Sequence, residues 1–434
     1  MLSKLADAPR DFSMDLPGSK SISLRTLVLA SLATGTSRIT GLANCDDIDE
    51  LTSALRTLGV GMAVSEDGTY TVTGTGGKFA TGQLNVQLGL SGTSTRFLIA
   101  LAFLRKDATH IDGHESLRAR PNKYLVDALR SLGARVDPEE ASGLPVLIQG
   151  HPETRQRSVE MAGNRSSQFF SALMQIAPLL TEGLSIKVRG ELVSRPYIDI
   201  TTAQMKAFGV NVTWNESGTA FDVRPQSYRA VDMAVEGDAS GASYFAALAT
   251  VHGTAVTFRN LGHQTLQGDY GFFKLCEKLG ATVSSDADTT RITGPSNGMN
   301  AVDEEIDMED MPDVAPTLMA IAPLVPGGLR IRGLGTLRIK ECDRLGVCAA
   351  HLRTLNVPVE EGPDSIVIQE HRSGPSEMVG LETFDDHRIA MSFGVLASKL
   401  GNIAILDPHC VAKTFPEYWD ELQRFGIDGT GKAA

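Results

Sequence analysis

Residues 19–41 read SKSISLRTLVLASLATGTSRITG. The stretch opens on small polar residues, continues as an apolar, alanine-containing run of helical character, breaks at a glycine and ends in a short alternating strand. The same order of events returns in GTSTRFLIALAFLRKDATHIDG from Gly92, RSSQFFSALMQIAPLLTEGLSIKVRG from Arg165 and GDASGASYFAALATVHGTAVTFRN from Gly237. It returns twice more, in PDVAPTLMAIAPLVPGGLRIRG from Pro312 and DDHRIAMSFGVLASKLGNIAILD from Asp385, with starts about every 73 residues.

A second element recurs between these windows. ELTSALRTLGVGMAV, YLVDALRSLGARVDP, TTAQMKAFGVNVTW, FFKLCEKLGATVSS, VCAAHLRTLNVPVEE and YWDELQRFGIDG each read as an amphipathic helix, a Leu-Gly-like stop and a strand. Any α/β protein alternates helix and strand, but here the openings agree in type as well as in period. Six helix-strand-helix-strand units therefore predict two domains of three units each, with crossovers near Gly18 and Glu236.

The openings have chemical weight. A helix N-terminus carries about half a positive charge and several free N–H groups. Serine, threonine, aspartate and glycine serve there as caps. Capping does not account for Lys20, Arg96, Gln168 and Arg388, which fall within the first turn or so. If such N-termini converge they form an anion site.

The bulk properties narrow the function. The chain has 434 residues, 42% hydrophobic and 21% charged, with 43 glycines, so two or three soluble domains with many turns are expected. A net charge of −12 argues against a general nucleic-acid binder. The absence of any apolar run of membrane-spanning length predicts no membrane helix, and MLSKLADAPRDF has no apolar leader core. Cysteines 45, 276, 342, 348 and 410 form no CxxC pair, which predicts neither a disulfide framework nor a zinc site and points to a reducing cytoplasm. No metal-ligand spacing and no dinucleotide fingerprint appear, so no metal and no cofactor are expected.

Against that acidic background, cations crowd a few windows. PGSKSISLR places Lys20 at a helix start, where a cation opposes the dipole; the GxxxxGK spacing of a phosphate loop is absent. RIKECDRLG packs Lys340, Glu341, Asp343 and Arg344 into five residues, although such runs are often solvated turns. DDHRIAM brings His387 and Arg388, HCVAKTFPEYW brings Lys413, and ESLRARPN brings Arg118 and Arg120, one of them expected at the surface. The simplest account is one or two small substrates bearing phosphate and carboxylate, which arginine forks suit.

In order and along nearly the whole chain, PGSKSISLR, GTSTR, RSSQFFSALM, SRPYIDIT, EGDASGASYF, PDVAPT, RIKECDRL, DDHRIAM and CVAKTFPEYW resemble the 5-enolpyruvylshikimate-3-phosphate synthases. The resemblance implies an α/β, two-domain enolpyruvyl transferase fold. Each domain would hold three βαβαββ-type repeats about a pseudo-threefold axis, an inside-out α/β barrel. Residues 1–18 with 237–434 would form one domain and 19–236 the other, with the active site in the interdomain cleft and closure on substrate. It implies transfer of the enolpyruvyl group of phosphoenolpyruvate to the 5-hydroxyl of shikimate-3-phosphate, in a cytoplasmic monomer open to the phosphoenolpyruvate mimic glyphosate.

Residue roles follow from the same likeness. Lys20, Ser21, Arg25, Ser166, Ser167, Gln168, Ser194, Tyr197, Asp313, Thr336 and Lys340 match shikimate-3-phosphate positions. Lys20, Gly92, Arg120, Gln168, Arg344, Arg388 and Lys413 match the phosphoenolpyruvate subsite, with Arg96 and His387 nearby. Lys20, Asp313 and Glu341 are the candidate catalytic groups. The reaction implied is addition through a tetrahedral ketal phosphate, then elimination. Asp313 would be the base for the hydroxyl, directly or in a relay with Lys20, and Glu341 the acid-base at C3. Leu24, Leu90, Phe97 and Thr336 depart from common family residues, and Leu90 and Thr336 would each remove a hydrogen bond of about 1 kcal/mol. Two alternatives are weighed. The related UDP-N-acetylglucosamine enolpyruvyl transferases carry a loop cysteine where this chain reads GHESLRARPN. A non-catalytic anion-binding relative would have lost Lys20, Asp313 or Glu341, and all three are present.

Overall fold

Each of the six apolar runs forms a helix: Lys20–Leu32, Gly92–Ala102, Ser167–Ile176, Ala239–His252, Ala315–Ile321 and His387–Leu400. These come from a computed structural model that describes residues 11–138, 142–215 and 218–427. Residues 1–10, within the stretch read as having no leader core, and the last two residues of YWDELQRFGIDG lie outside the described residues, as do the outer ends of the expected first domain. Apolar all round, these helices have to be enclosed. In Ala239–His252 every residue before the terminal histidine is buried. Pro178 and Pro323 lack the N–H a longer helix would need, and there the third and fifth runs tighten into the single turns Ala177–Leu179 and Ala322–Leu324.

The second helix of each repeat is Asp46–Thr57, Lys123–Ser131, Pro196–Ala207, Phe272–Lys278, Arg344–Thr354 or Tyr418–Arg424. All six stop the same way. Gly59, Gly133, Gly209, Gly280 and Gly426 take φ between +87° and +100°, and Asn356 fills the fifth place at +62°. Asparagine is among the few side chains that tolerate this left-handed region, so NV at 356–357 is the same stop as the LG steps elsewhere.

Among the described residues five sheets share one design, a parallel pair extended by two antiparallel strands, and a sixth keeps the parallel pair alone. Residues 18–235 carry three of them. Leu84–Leu88 runs parallel to Thr109–Gly113, followed by Val146–Gln149 and Arg135–Pro138. Ser158–Ala162 runs parallel to Leu184–Arg189, followed by Ala220–Val223 and Thr213–Trp214. In the first repeat the parallel partner of Thr34–Thr40 comes from the far end of the segment, Met233–Ala234.

The second compact unit contains described residues 11–17 and 236–427. Its fourth-repeat sheet takes its parallel strand, Asp11–Met14, from the start of the chain and pairs it with Ala255–Phe258. Glu305–Asp307 and Leu329–Arg332 begin the next sheet, and Val379–Leu381 and Ile403–Ile405 make the last as a two-stranded pair. In this unit the three buried helices touch one another pairwise inside the sheets. Each unit has its own apolar core.

The 18–235 segment is thus an insertion that closes on itself. Within it, the Val235 N–H donates to the Thr40 carbonyl at 2.9 Å. A Cβ on Gly41 would lie 2.7 Å from the Val235 oxygen, and one on Gly18 only 1.8 Å from the Gly41 oxygen. Gly41 is thus pressed between the entering segment at Gly18 and the leaving segment at Val235, so neither glycine accepts a side chain. In the other unit, the Asp238 N–H donates to the Pro17 carbonyl at 2.9 Å.

Candidate active site

In the unit of residues 18–235, first-turn side chains of the buried helices gather in two groups. Lys20 is the first residue of its helix, and its Nζ lies 3.0 Å from Asp47 Oδ2. Asp47 is buried on the first turn of Asp46–Thr57, so one helix start answers the cation that another misplaces. Glu50, one turn on, is pushed above the usual carboxylate range by burial and then by the Asp47 charge.

Arg25 is only 1% exposed. Its Nε donates to Thr201 Oγ1 at 2.7 Å, Nη1 to the Ser21 carbonyl at 2.9 Å and Nη2 to Ser171 Oγ at 3.3 Å. It lies over the Phe97 ring at 5.3 Å and the Tyr197 ring at 5.9 Å. Burial pulls its pKa down to about 10, with Tyr197 opposing. Arg25 therefore braces the floor of this cluster. Phe97, one of the departures, is the ring it rests on, and Leu24 is a fully buried core residue.

The second group joins the second and third repeats. Arg96 Nη1 donates to Gln168 Oε1, and the guanidinium lies 5.1 Å from the Phe169 ring. Ser166 caps the helix Ser167–Ile176 by accepting from the Gln168 N–H at 3.3 Å. Gly92 opens its helix where a Cβ would stand 2.8 Å from Arg120 Nη1, so the missing side chain is what lets Arg120 lie across that N-terminus. Arg118 is instead spent on Asp112, with Nε to Oδ1 at 2.8 Å and Nη2 to Oδ2 at 2.5 Å, and its side chain is 45% exposed. Ser194 holds φ +54° just before the helix Pro196–Ala207, a conformation uncommon for a non-glycine residue. Leu90 donates its N–H to Glu50 Oε1 at 3.4 Å.

The other unit holds one continuous ionic network. Asp313 Oδ1 accepts from Lys340 Nζ and from Arg344 Nη1, each at 3.2 Å, and Oδ2 accepts from Arg388 Nη2 at 2.8 Å. Glu341 Oε2 accepts from Arg344 Nη2 at 2.7 Å, and Oε1 from Lys413 Nζ at 2.9 Å. Arg344, Arg388 and Lys413 are all buried. Burial raises the Asp313 pKa, but Arg388, Lys340 and Arg344 outweigh it and hold the carboxyl well below its ordinary range. Burial works against the Arg344 charge, yet Asp386, Glu341 and Asp313 hold it more firmly protonated than usual.

Asp386 organises this network and was not singled out by sequence reasoning. It caps the helix His387–Leu400 by accepting the Arg388 N–H on Oδ1 at 2.9 Å, and it also receives Arg344. Asp47 and Asp269 were missed as well. Only an aspartate directly before a helix start, as at Asp386, leaves a trace in sequence. His387 is fully buried, its Nδ1 3.8 Å from Asp386 Oδ1. The Thr336 hydroxyl is buried with no hydrogen-bond partner among the described residues. All five cysteines are free, and burial pushes every thiol up, to about 12 for Cys45, Cys276 and Cys410.

The fold matches that of an EPSP synthase from Acinetobacter baumannii with a TM-score of 0.80, at 23% identity and covering 98% of each chain. It also matches the enolpyruvyl transferase NikO from Streptomyces tendae, at TM-score 0.75 and 15% identity over 98% of this chain and 97% of that one. The architecture is thus that of the enolpyruvyl transferases. In sequence, the family described as EPSP synthase (3-phosphoshikimate 1-carboxyvinyltransferase) matches residues 11–422. Proteins named 3-phosphoshikimate 1-carboxyvinyltransferase from Mannheimia haemolytica and Citrobacter koseri are 39% and 40% identical over 421 and 426 residues, which is 95% of this chain and 96% of each relative. The chain belongs to the EPSP synthase family.

Proposed function

We infer that this protein transfers the enolpyruvyl group of phosphoenolpyruvate to the 5-hydroxyl of shikimate-3-phosphate and releases phosphate. The observation that carries the reading is full-length kinship with 3-phosphoshikimate 1-carboxyvinyltransferases at about 40% identity. The buried cations described above are what a pair of anionic substrates requires.

The roles of individual residues follow the family likeness. Ser166, Ser167, Gln168, Ser194 and Tyr197, with Lys20, Ser21, Arg25, Asp313, Thr336 and Lys340, take shikimate-3-phosphate, and Arg25 also braces the side chains around it. Gly92, Arg120, Arg344, Arg388 and Lys413 take phosphoenolpyruvate. The 5-hydroxyl oxygen forms a bond to C2 while its proton passes to Asp313, aided by Lys20, and C3 gains a proton from Glu341. The ketal phosphate then loses phosphate, which carries off the proton held by Asp313, as Glu341 takes a proton back from C3, so both carboxyl groups return to their starting states.

Asp313 explains why both substrates are needed. Clamped by three cations it is a weak base. Anionic groups of the substrates draw Arg388, Lys340 and Arg344 towards themselves, and the Asp313 pKa rises to a value useful for proton transfer. The protein is proposed to act as a cytoplasmic monomer inhibited by glyphosate. Among the described residues no helix is long and apolar enough to cross a membrane.

The test is phosphate release. It should require both substrates together and fall at least about a hundredfold in Lys20→Ala and in Glu341→Ala, the range for general acid-base groups. No release at saturating substrates rejects the activity. Near-normal turnover in both variants rejects the role assignment alone.

A further inference from the structure

Asp269 is a buried carboxylate that the mechanism above leaves unused. It sits in the single turn Gly268–Gly271, beside the start of the helix Ala239–His252. Its neighbour Gln267 fastens that turn: Oε1 accepts from the Ala239 N–H at 3.0 Å, and Nε2 donates to the Gly237 carbonyl at 2.8 Å and to Glu236 Oε1 at 2.9 Å. Held there, Asp269 Oδ2 accepts the Ser240 hydroxyl, while Oδ1 is buried with no partner among the described residues. Ser240 Oγ accepts in turn from Arg388 Nη2 at 3.4 Å, the same nitrogen that reaches Asp313 Oδ2 at 2.8 Å.

The donors along this chain point one way. Arg388 N–H donates to Ser240, and Ser240 O–H donates to Asp269, which as a carboxylate only accepts. A proton on Asp269 reverses the last link. The carboxylic acid then donates to Ser240 Oγ, whose own O–H loses its acceptor and has to turn, so the one lone pair left on the serine is no longer held towards Arg388. We propose that Asp269 is a positioning residue for the enolpyruvyl donor: ionised, it steadies the Arg388 guanidinium through Ser240, and protonated, it loosens that hold while the Asp313 contact remains. The proposal rests on the assignment of Arg388 to the phosphoenolpyruvate subsite.

The charged groups facing Asp269 come from each neighbouring element: Asp313 from the turn Pro312–Val314, Arg388 from the helix His387–Leu400 and Asp238 from the cap of Ala239–His252. Burial, and then the Asp313 charge, push the Asp269 carboxyl up to about 7, against the pull of Arg388. The protonation change therefore falls near neutrality, where it affects donor binding under working conditions. The Asp313 charge raises Asp269, so the two carboxylates titrate as a linked pair.

The experiment is steady-state kinetics of the full-length enzyme across a pH range spanning neutrality, for wild type, Asp269→Asn, Ser240→Ala and Arg388→Lys. Wild type should lose kcat/KM for phosphoenolpyruvate as pH falls through the neutral region. Asp269→Asn should raise that KM about tenfold, the scale of one lost hydrogen bond to a charged group, with kcat little changed, and should lack the acid limb. Ser240→Ala, which cuts the link and leaves the carboxyl in place, should show the same two changes; it decides the matter if Asp269→Asn does not fold. An unaltered KM and acid limb in Ser240→Ala, with Arg388→Lys impaired, overturns the proposal and leaves the subsite assignment standing. A normal phosphoenolpyruvate KM in Arg388→Lys overturns the subsite assignment itself.

Discussion

Arg344 and Asp386 meet as a two-point fork, Nε to Oδ2 at 2.7 Å and Nη2 to Oδ1 at 3.2 Å, with side chains no more than 1% exposed. The remaining Arg344 nitrogen and the second face of Nη2 serve Asp313 and Glu341, so one guanidinium ties together the two candidate acid-base groups. Removing either half of a buried pair leaves an uncompensated charge. Asp386→Ala is expected to lower unfolding free energy by about 3–5 kcal/mol, read by urea denaturation. A loss below about 1 kcal/mol would show that water reaches the pair.

Gly92→Ala separates folding from binding. The added Cβ meets the far end of the flexible Arg120 side chain rather than backbone. Stability should therefore change little. Arg120 has to swing away, and the KM for phosphoenolpyruvate should rise by roughly tenfold, about 1.4 kcal/mol. An unchanged KM would mean that Arg120 does not contact this substrate.

The two arginines of ESLRARPN should behave differently. Arg118 is half exposed and paired with Asp112, so Arg118→Ala should cost no more than about 1 kcal/mol of stability and leave turnover intact. Arg120→Ala should leave stability nearly intact and cut kcat/KM for phosphoenolpyruvate at least about tenfold. Equal effects in a kinetic comparison would contradict the geometry.

Asp269 also leaves a mark on stability against pH. Its folded pKa is raised above its unfolded value, so between the two the folded state binds more protons and stability falls as pH rises. Asp269→Asn removes that term. Its melting temperature relative to wild type should be more favourable at about pH 8 than at about pH 5. The opposite trend in thermal scans would mean that the ionised carboxylate is well solvated or well paired.

The repeat architecture was readable because its signals are local. Caps such as Asp386 and Ser166, apolar runs without a polar face, and the stops at Gly59 through Gly426 are each set by neighbours in sequence. Asn356 breaks the glycine spelling but keeps the conformation. The cations were readable for a different reason: Lys20 and Arg388 sit where helix physics alone would not put them. Their counter-ions were not readable. Asp47, Asp269 and Asp386 acquire their roles from chain segments brought together by the fold, as Lys20 meets Asp47 and Arg344 meets Asp386. Nothing in the local spelling distinguishes Asp47 and Asp269 from surface aspartates, and Asp386 shows there only as a helix cap. Arg25 shows the converse: to the substrate role that the likeness implies, the fold adds hydrogen bonds to Thr201, Ser171 and Ser21 that no local spelling indicates.

The pairing of Asp11–Met14 with Ala255–Phe258 has a consequence for biogenesis. The strand Asp11–Met14 has no partner until residues near 255 have been made. At about 5–20 residues per second that delay is roughly 10–50 seconds, ample for the whole inserted segment to collapse first. Through that interval the early strand waits as an unpaired edge, and the nascent chain is most exposed to chaperones and to misassociation then, before its late partner emerges.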